Sequence, residues 1–196
     1  MITNLTSVAA IYTAVVFRDK APQESDRGNV RALAIRDVVA NKPVRANELP
    51  RVLVEPRYLE NRLQPGDVVI PSRGDHYKAW YFDGADEPVL PIGQLNVIRA
   101  HPLQLNSHYL TWFLNQRTTQ TRFQALLTGT NIKALTKVVL SRFEITVPPR
   151  AKQEQIAELH HTTERIAQIR HRLSELDRLE MAEMTYQLLQ QEPAHA

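Results

Sequence analysis

Residues 145–159 read ITVPPRAKQEQIAEL. A β-branched run stops at Pro148 and Pro149. Proline cannot donate to a strand ladder, so a strand ends here. At a helix start its missing N–H costs nothing. From Ala151 to about Gln190 the chain holds neither Pro nor Gly. That run predicts one helix, roughly 60 Å long at 1.5 Å per residue. Its apolar positions are Ile156, Leu159, Ile166, Ile169, Leu173, Leu176, Leu179, Met184 and Leu188. They lie mostly three and four apart, with Thr163 on the same stripe and an irregularity near Ile166–Ile169. A narrow stripe on so long a helix asks for a partner. The expectation is a coiled-coil-forming dimerisation arm with a seam of Ile156, Leu159, Ile166, Leu173, Leu176 and Met184. Packing across its own domain is the alternative.

The totals bound what precedes this helix. The chain has 196 residues, of which 43% are hydrophobic, enough for a real core. It has no cysteine, which excludes disulfides and thiolate metal sites. The N-terminal apolar stretch lacks a basic flank and is too interrupted to span a bilayer. A soluble, cytoplasmic protein is expected. Net charge is +3, but residues 1–150 carry +6 and residues 151–196 carry −3. A basic body suits a polyanion, and an acidic helix suits a protein partner.

Upstream, strand and loop patterns dominate the first hundred residues. VAAIYTAVVF, NVRALAIRDVVA, PRVLVEP and LQPGDVVIPSRG are short apolar runs between Pro, Gly and Asp punctuation. Prolines beside several of them argue for edges and irregular loops. From Asn106, NSHYLTWFLNQRTTQTRFQALL carries apolar residues at helical spacing, with Asn106 or Ser107 as cap and Gly129 as stop. NIKALTKVV reads as a short helix or turn, and SRFEITV as a strand. The fold class is therefore mixed α+β: a β-rich body with a few helices over 1–148, the long helix over 149–190, and a tail at 191–196.

Taken together, these motifs resemble a half of the specificity subunit of type I restriction–modification systems. The resemblance rests on Pro65-Gly66-Asp67, Arg73-Gly74, Tyr109-Leu110, Phe113-Leu114-Asn115, Gly129-Thr130, Pro148-Pro149 and Glu154-Gln155, in that order. It spans roughly Leu63 to Gln190. It implies a target recognition domain followed by a spacer helix, and a role in DNA reading without catalysis. It implies double-stranded DNA as a partner, with methyltransferase and restriction subunits docked alongside. S-adenosylmethionine and ATP would belong to those subunits, and no cofactor to this chain. The family pattern has two such units per chain, and this sequence has one. Either the chain is a half-subunit whose homodimer supplies the second unit and favours a palindromic bipartite target, or it is a fragment of a longer protein. The helix would then act as ruler and joint.

Residues that could touch DNA follow from chemistry: Lys, Arg and hydroxyls for phosphates, and Arg, Lys, Asn, Gln and acids for base edges. Two loops carry dense sets. PSRGDHYKAW offers Arg73, Asp75, His76, Tyr77 and Lys78 beside Gly74; TGTNIK offers Thr130, Asn131 and Lys133 after Gly129. A third segment, FRDKAPQESDRGNVR, holds Arg18, Lys20, Gln23, Arg27 and Arg31, and its mixed charge with few apolar residues reads equally as a flexible loop. No catalytic or metal-binding set is expected. GxGxxG, the P-loop and HExxH are absent, and VPPR is not an adenine-methyltransferase motif. Asp67, Asp75 and Asp83 read as scattered turn acids. A reading from another class is a protein-interaction scaffold that uses the helix without reading DNA.

Overall fold

The computed structural model describes residues 1–17, 22–40, 44–74, 76–128 and 134–190; the side chains of Thr128, Gln168 and Gln190 are not described. It divides into a compact body, Met1–Ala157, and a second unit beginning at Glu158. The body thus takes in the first two turns of the long helix, nine residues beyond the boundary expected at 148.

The body is built on nine short strands among the described residues. They are β1 (Ile2–Asn4), β2 (Ala9–Thr13), β3 (Val30–Leu33), β4 (Arg51–Val52), β5 (Asp67–Pro71), β6 (Trp80–Tyr81), β7 (Val89–Pro91), β8 (Leu95–Ala100) and β9 (Glu144–Thr146). The helices are α1 (Ile35–Val39), α2 (Ser107–Asn115), α3 (Arg117–Thr128), α4 (Lys137–Ser141) and α5 (Arg150–Gln190). A central antiparallel sheet runs β2-β8-β5-β6, and a smaller one runs β4-β3-β7, with β3 and β7 parallel. The ribbon β1-β9 ties the N-terminus to the strand that ends at the two prolines, with Ile2 opposite Thr146.

Strand period explains why β5 is buried along its whole length. Val68 and Ile70 face one core with Ile98, Leu110, Leu114 and Phe123; Val69 faces a second with Leu33, Phe82, Val89 and Val97. A sheet covered on both sides gives continuous apolar runs instead of alternation. The first core joins the sheet to α2, α3, α4 and the start of α5. The smaller sheet adds a third cluster, in which Phe17 meets Tyr58 at 5.0 Å between ring centroids.

The Pro-Gly-Asp turn has a structural reason. Gly66 has φ +95, a conformation that L side chains rarely adopt. It places Asp67 fully buried at the start of β5. There Asp67 accepts two bonds from Arg99 on β8, at 2.7 and 2.8 Å, and one from the Gln64 N–H at 2.8 Å. The carboxylate raises the Arg99 guanidinium above its ordinary value, chiefly through that hydrogen bond. Asp67 is therefore a cross-strand anchor and not a scattered turn acid.

Two elements differ from their sequence patterns. NVRALAIRDVVA is strand only as far as Leu33. Asp37 then accepts from the Ala34 N–H at 2.9 Å, and Ile35–Val39 turns into helix. The helical pattern from Asn106 divides in two at Gln116, whose backbone is extended (ψ 139). Neither Pro nor Gly marks the break. Side-chain bonds compensate for it: Gln120 donates to the carbonyls of Leu114 and Tyr77 at 2.7 and 2.9 Å.

The long helix begins at Arg150, directly after the two prolines, and Gln153 secures its first turn. Gln153 is buried; its Oε1 accepts from the Asn106 N–H, and its Nε2 donates to the carbonyls of Gln104 and Pro148. Ile156 packs against the body's first core. It was expected in the seam, but it serves its own domain, because it lies within the helical turns the body absorbs. Leu159, Ile166, Leu173, Leu176 and Met184 are all exposed. Polar side chains on this part of the helix pair locally, as in His171 with Glu175 and Arg172 with Glu175. Among the described residues, no helix is long and apolar enough to cross a membrane.

Candidate nucleic-acid interface

The ends of three central strands coincide. Thr13 at the end of β2 pairs with Asn96, and Pro71 at the end of β5 pairs with Leu95, at the start of β8. So the connection after β5, the turn before β8 and the segment after β2 all leave the sheet at one edge. The smaller sheet ends there too: Leu33 pairs with Pro91, and the Ile92 N–H donates to the Leu33 carbonyl.

The loop after β5 is held firmly at both ends. The Ser72 N–H donates to the Gln94 carbonyl at 2.9 Å, and the Ser72 carbonyl accepts from the Leu135 N–H at 2.8 Å. Further on, Asn115 clasps Ala79 in both directions: the Ala79 N–H donates to Oδ1 at 2.7 Å, and Nδ2 donates to the Ala79 carbonyl at 2.9 Å. Gln120 takes the Tyr77 carbonyl. Between these points Arg73, His76 and Lys78 are exposed. Gly74 has φ +107 and open space where a side chain would stand, so a ligand can approach the backbone.

Tyr77 differs from its neighbours. It was expected at the surface with Arg73, but it is 4% exposed and meets Phe123 edge-on at 6.1 Å. Its ring plugs the core and fixes the loop, while the alternate residues His76 and Lys78 face outward.

The second loop rejoins this place. Leu135 donates to Ser72, and its carbonyl accepts from the Nδ2 of Asn96 at 2.7 Å, in buried surroundings. Thr130, Asn131 and Lys133 themselves lie outside the described residues, as do Arg18, Lys20 and Asp75. Arg27 is described and exposed, but it is not brought to this edge. It sits in the turn before β3, where the Ser25 N–H donates to the Arg51 carbonyl, at the far end of the smaller sheet.

Sequence reading missed the residues that hold the loop. Asn115 was visible within the Phe-Leu-Asn motif, yet nothing there tells that its amide grips Ala79. Gln120, Asn96 and Gln94 carry no local signal. Arg36, on α1 just beyond Leu33, is a further exposed cation, with a side chain 75% accessible. Such a cluster of cations, amides and approachable backbone can bind phosphates and read base edges. Among the described residues, no group of three or more His, Asp or Glu could hold a metal ion.

Residues 42–178 match the family model for the type I restriction modification DNA specificity domain. The chain belongs to that family. Its domains recognise DNA and are not the catalytic parts of their systems. No curated protein sequence matches the chain. Solved structures of similar fold include the S subunit of a type I restriction–modification system from M. genitalium, at 15% identity and TM-score 0.64. That match covers 97% of this chain and 46% of the other. The HsdS subunit from Thermoanaerobacter tengcongensis matches at 20% identity and TM-score 0.61, covering 94% of this chain and 44% of the other. A third, from work on complex assembly and conformational transition of the type I system, matches at 18% identity and TM-score 0.58, covering 93% of this chain and 44% of the other. The chain thus spans less than half the length of these specificity-subunit chains. At such identities the likeness shows the fold alone.

Proposed function

We propose that this specificity domain reads one half of a bipartite DNA target, with the sheet edge around Ser72 as its reading surface. The observation that carries this reading is the Ser72 junction, which ties the Arg73–Lys78 loop, the Gln94 turn and the return at Leu135 into one basic edge. Membership of a DNA-specificity family supports it. Two copies joined through the exposed face of α5 present two such edges to a palindromic bipartite site. Methyltransferase and restriction subunits dock on this dimer and supply the chemistry, with their own S-adenosylmethionine and ATP. The protein works in the cytoplasm, where that DNA is found.

Selection from random duplex DNA, with and without a cognate modification subunit, tests this. An enriched palindromic bipartite site supports both reading and dimer. An enriched single half-site leaves the reading and removes the dimer. No enrichment in either condition moves the protein to a helix-based interaction scaffold. Arg73→Ala and Lys133→Ala should each weaken binding across all sequences and lower the salt slope by about one. Leu173→Glu with Leu176→Glu should halve the solution mass while the body stays folded; an unchanged mass would remove the seam.

A further inference from the structure

The reading edge also contains an uncharged residue suited to bases. Gln94 sits in the turn between β7 and β8. Its carbonyl accepts from Ser72, which joins it to the Arg73 loop. Its side chain is exposed and has no hydrogen-bond partner among the described residues. Several amides of the body are instead committed to the backbone: Asn29 to Val54, Asn96 to Leu135, Asn115 to Ala79, Gln120 to Tyr77 and Gln153 to Pro148.

The turn around Gln94 is rigid and open. Leu90 and Leu95 on either side are buried, and the flanking backbone is bonded on both sides, by Ser72 to Gln94 and by Gly93 to the Val15 carbonyl at 2.8 Å. Gly93 has φ +75, and no atom lies within 4 Å of where its Cβ would stand. A partner can therefore come close to the backbone beside Gln94 without a clash. A base-reading group needs this combination of a free donor–acceptor pair, a fixed base and an unobstructed approach.

We propose that Gln94 reads a base edge, and that the Gly93-Gln94 turn is a third element of the DNA interface beside the two loops. The inference rests on the DNA reading proposed above. An amide carries a donor and an acceptor side by side. That matches the N6 donor and N7 acceptor of adenine in the major groove, a pattern unique to that base. Arg73, His76 and Lys78 then position the duplex through phosphates, which carry no sequence information.

The test is the same selection, run on the full chain and on two variants. The wild type should enrich a half-site that contains one A·T pair dependent on Gln94. Gln94→Ala should lose preference at that single position, about tenfold, and leave the rest of the motif and the salt slope unchanged. Gln94→Glu should move the preference at that position toward C·G, because a carboxylate accepts from the cytosine amino group. A wild-type motif that both variants reproduce would overturn the assignment while leaving DNA reading in place. Uniform weakening by Gln94→Ala with a shallower salt slope would also overturn it, by making the turn a phosphate contact. If the wild type enriches no motif, the DNA reading falls and this inference with it.

Discussion

Leu114 in α2 and Leu173 in α5 both sit on helices with apolar spacing, yet Leu114 is fully buried and Leu173 is 53% exposed. The contrast extends to their surroundings. The body up to Ala157 buries apolar residues on both faces of its central sheet and ties several of its amides to its own backbone. From Glu158 on, Leu159, Ile166, Ile169, Leu173, Leu176 and Met184 are all exposed. A helix with an uncovered stripe of that length has only part of the stabilisation its sequence provides for. The body buries its apolar core, and the helix past Glu158 leaves its stripe uncovered. Substitutions in the body should therefore act on stability, and substitutions along the seam on assembly.

The largest effect on the body should come from Asp67→Ala. It removes a fully buried carboxylate and leaves Arg99, one-third exposed, without its bidentate partner. Breaking a buried pair from one side costs about 3–5 kcal/mol; the exposure of Arg99 brings the expectation to about 3 kcal/mol. Urea unfolding followed by near-ultraviolet signals should show this loss with the slope unchanged. A loss below about 1 kcal/mol, the ceiling for an exposed pair, would mean that Asp67–Arg99 behaves as a surface ion pair.

Gln153→Ala comes next, because it acts where helix and body share residues. Three bonds disappear, and the Asn106 N–H and the carbonyls of Gln104 and Pro148 lose a partner. The expected cost is about 2 kcal/mol. Hydrogen exchange should rise in the first turn of α5 and at Asn106. Protection past Glu158 should not change; if it did, the two units would be one cooperative element.

Asn115→Ala should cost less, about 1–2 kcal/mol, since two bonds to Ala79 are lost and water can reach part of the site. Its value lies in separating support from contact. Asn115 serves the loop and not the ligand. Its loss should weaken DNA binding through a loosened Arg73–Lys78 loop, while the salt slope stays near wild type. A slope reduced by one would instead make Asn115 a phosphate contact.

These residues also show what was legible in the sequence. The two prolines followed by forty unbroken residues announced α5 to within one residue of its start. The Asn106 cap announced α2, and Arg73, His76 and Lys78, singled out by composition, are exposed. What escaped depends on distant partners. The break at Gln116 has no breaker residue, because tertiary bonds from Gln120 carry its cost. Tyr77 looks like its neighbours until Phe123 is placed against it. Ile156 looks like the seam until the body's core is seen to extend two turns into the helix. Gln94 has no local pattern, and only strand pairing puts it beside Ser72.

The smallest effect distinguishes how the two regions use charge. Glu87 accepts from Arg51 at 2.7 Å and from Arg31 at 2.8 Å, bridging β4 and β3. Those hydrogen bonds, Arg51 first and then Arg31, hold its carboxyl below the ordinary value. Among the described residues, Glu175 on α5 pairs with His171 and Arg172, one turn away. A carboxyl held low in the folded state contributes stability that is present above its unfolded value. That contribution is lost as pH falls through the folded value. Glu87→Gln should therefore lower the melting temperature of the body at neutral pH, and its gap from wild type should close on acidification. Glu175→Gln should give no measurable gap at either pH, as exposed helical pairs contribute little. A Glu87→Gln gap that stays constant with pH would assign the stabilisation to packing, and the charge contrast between body and helix would disappear. A Glu175→Gln gap that closes with Glu87→Gln would show the helix to be tied electrostatically beyond its own turns.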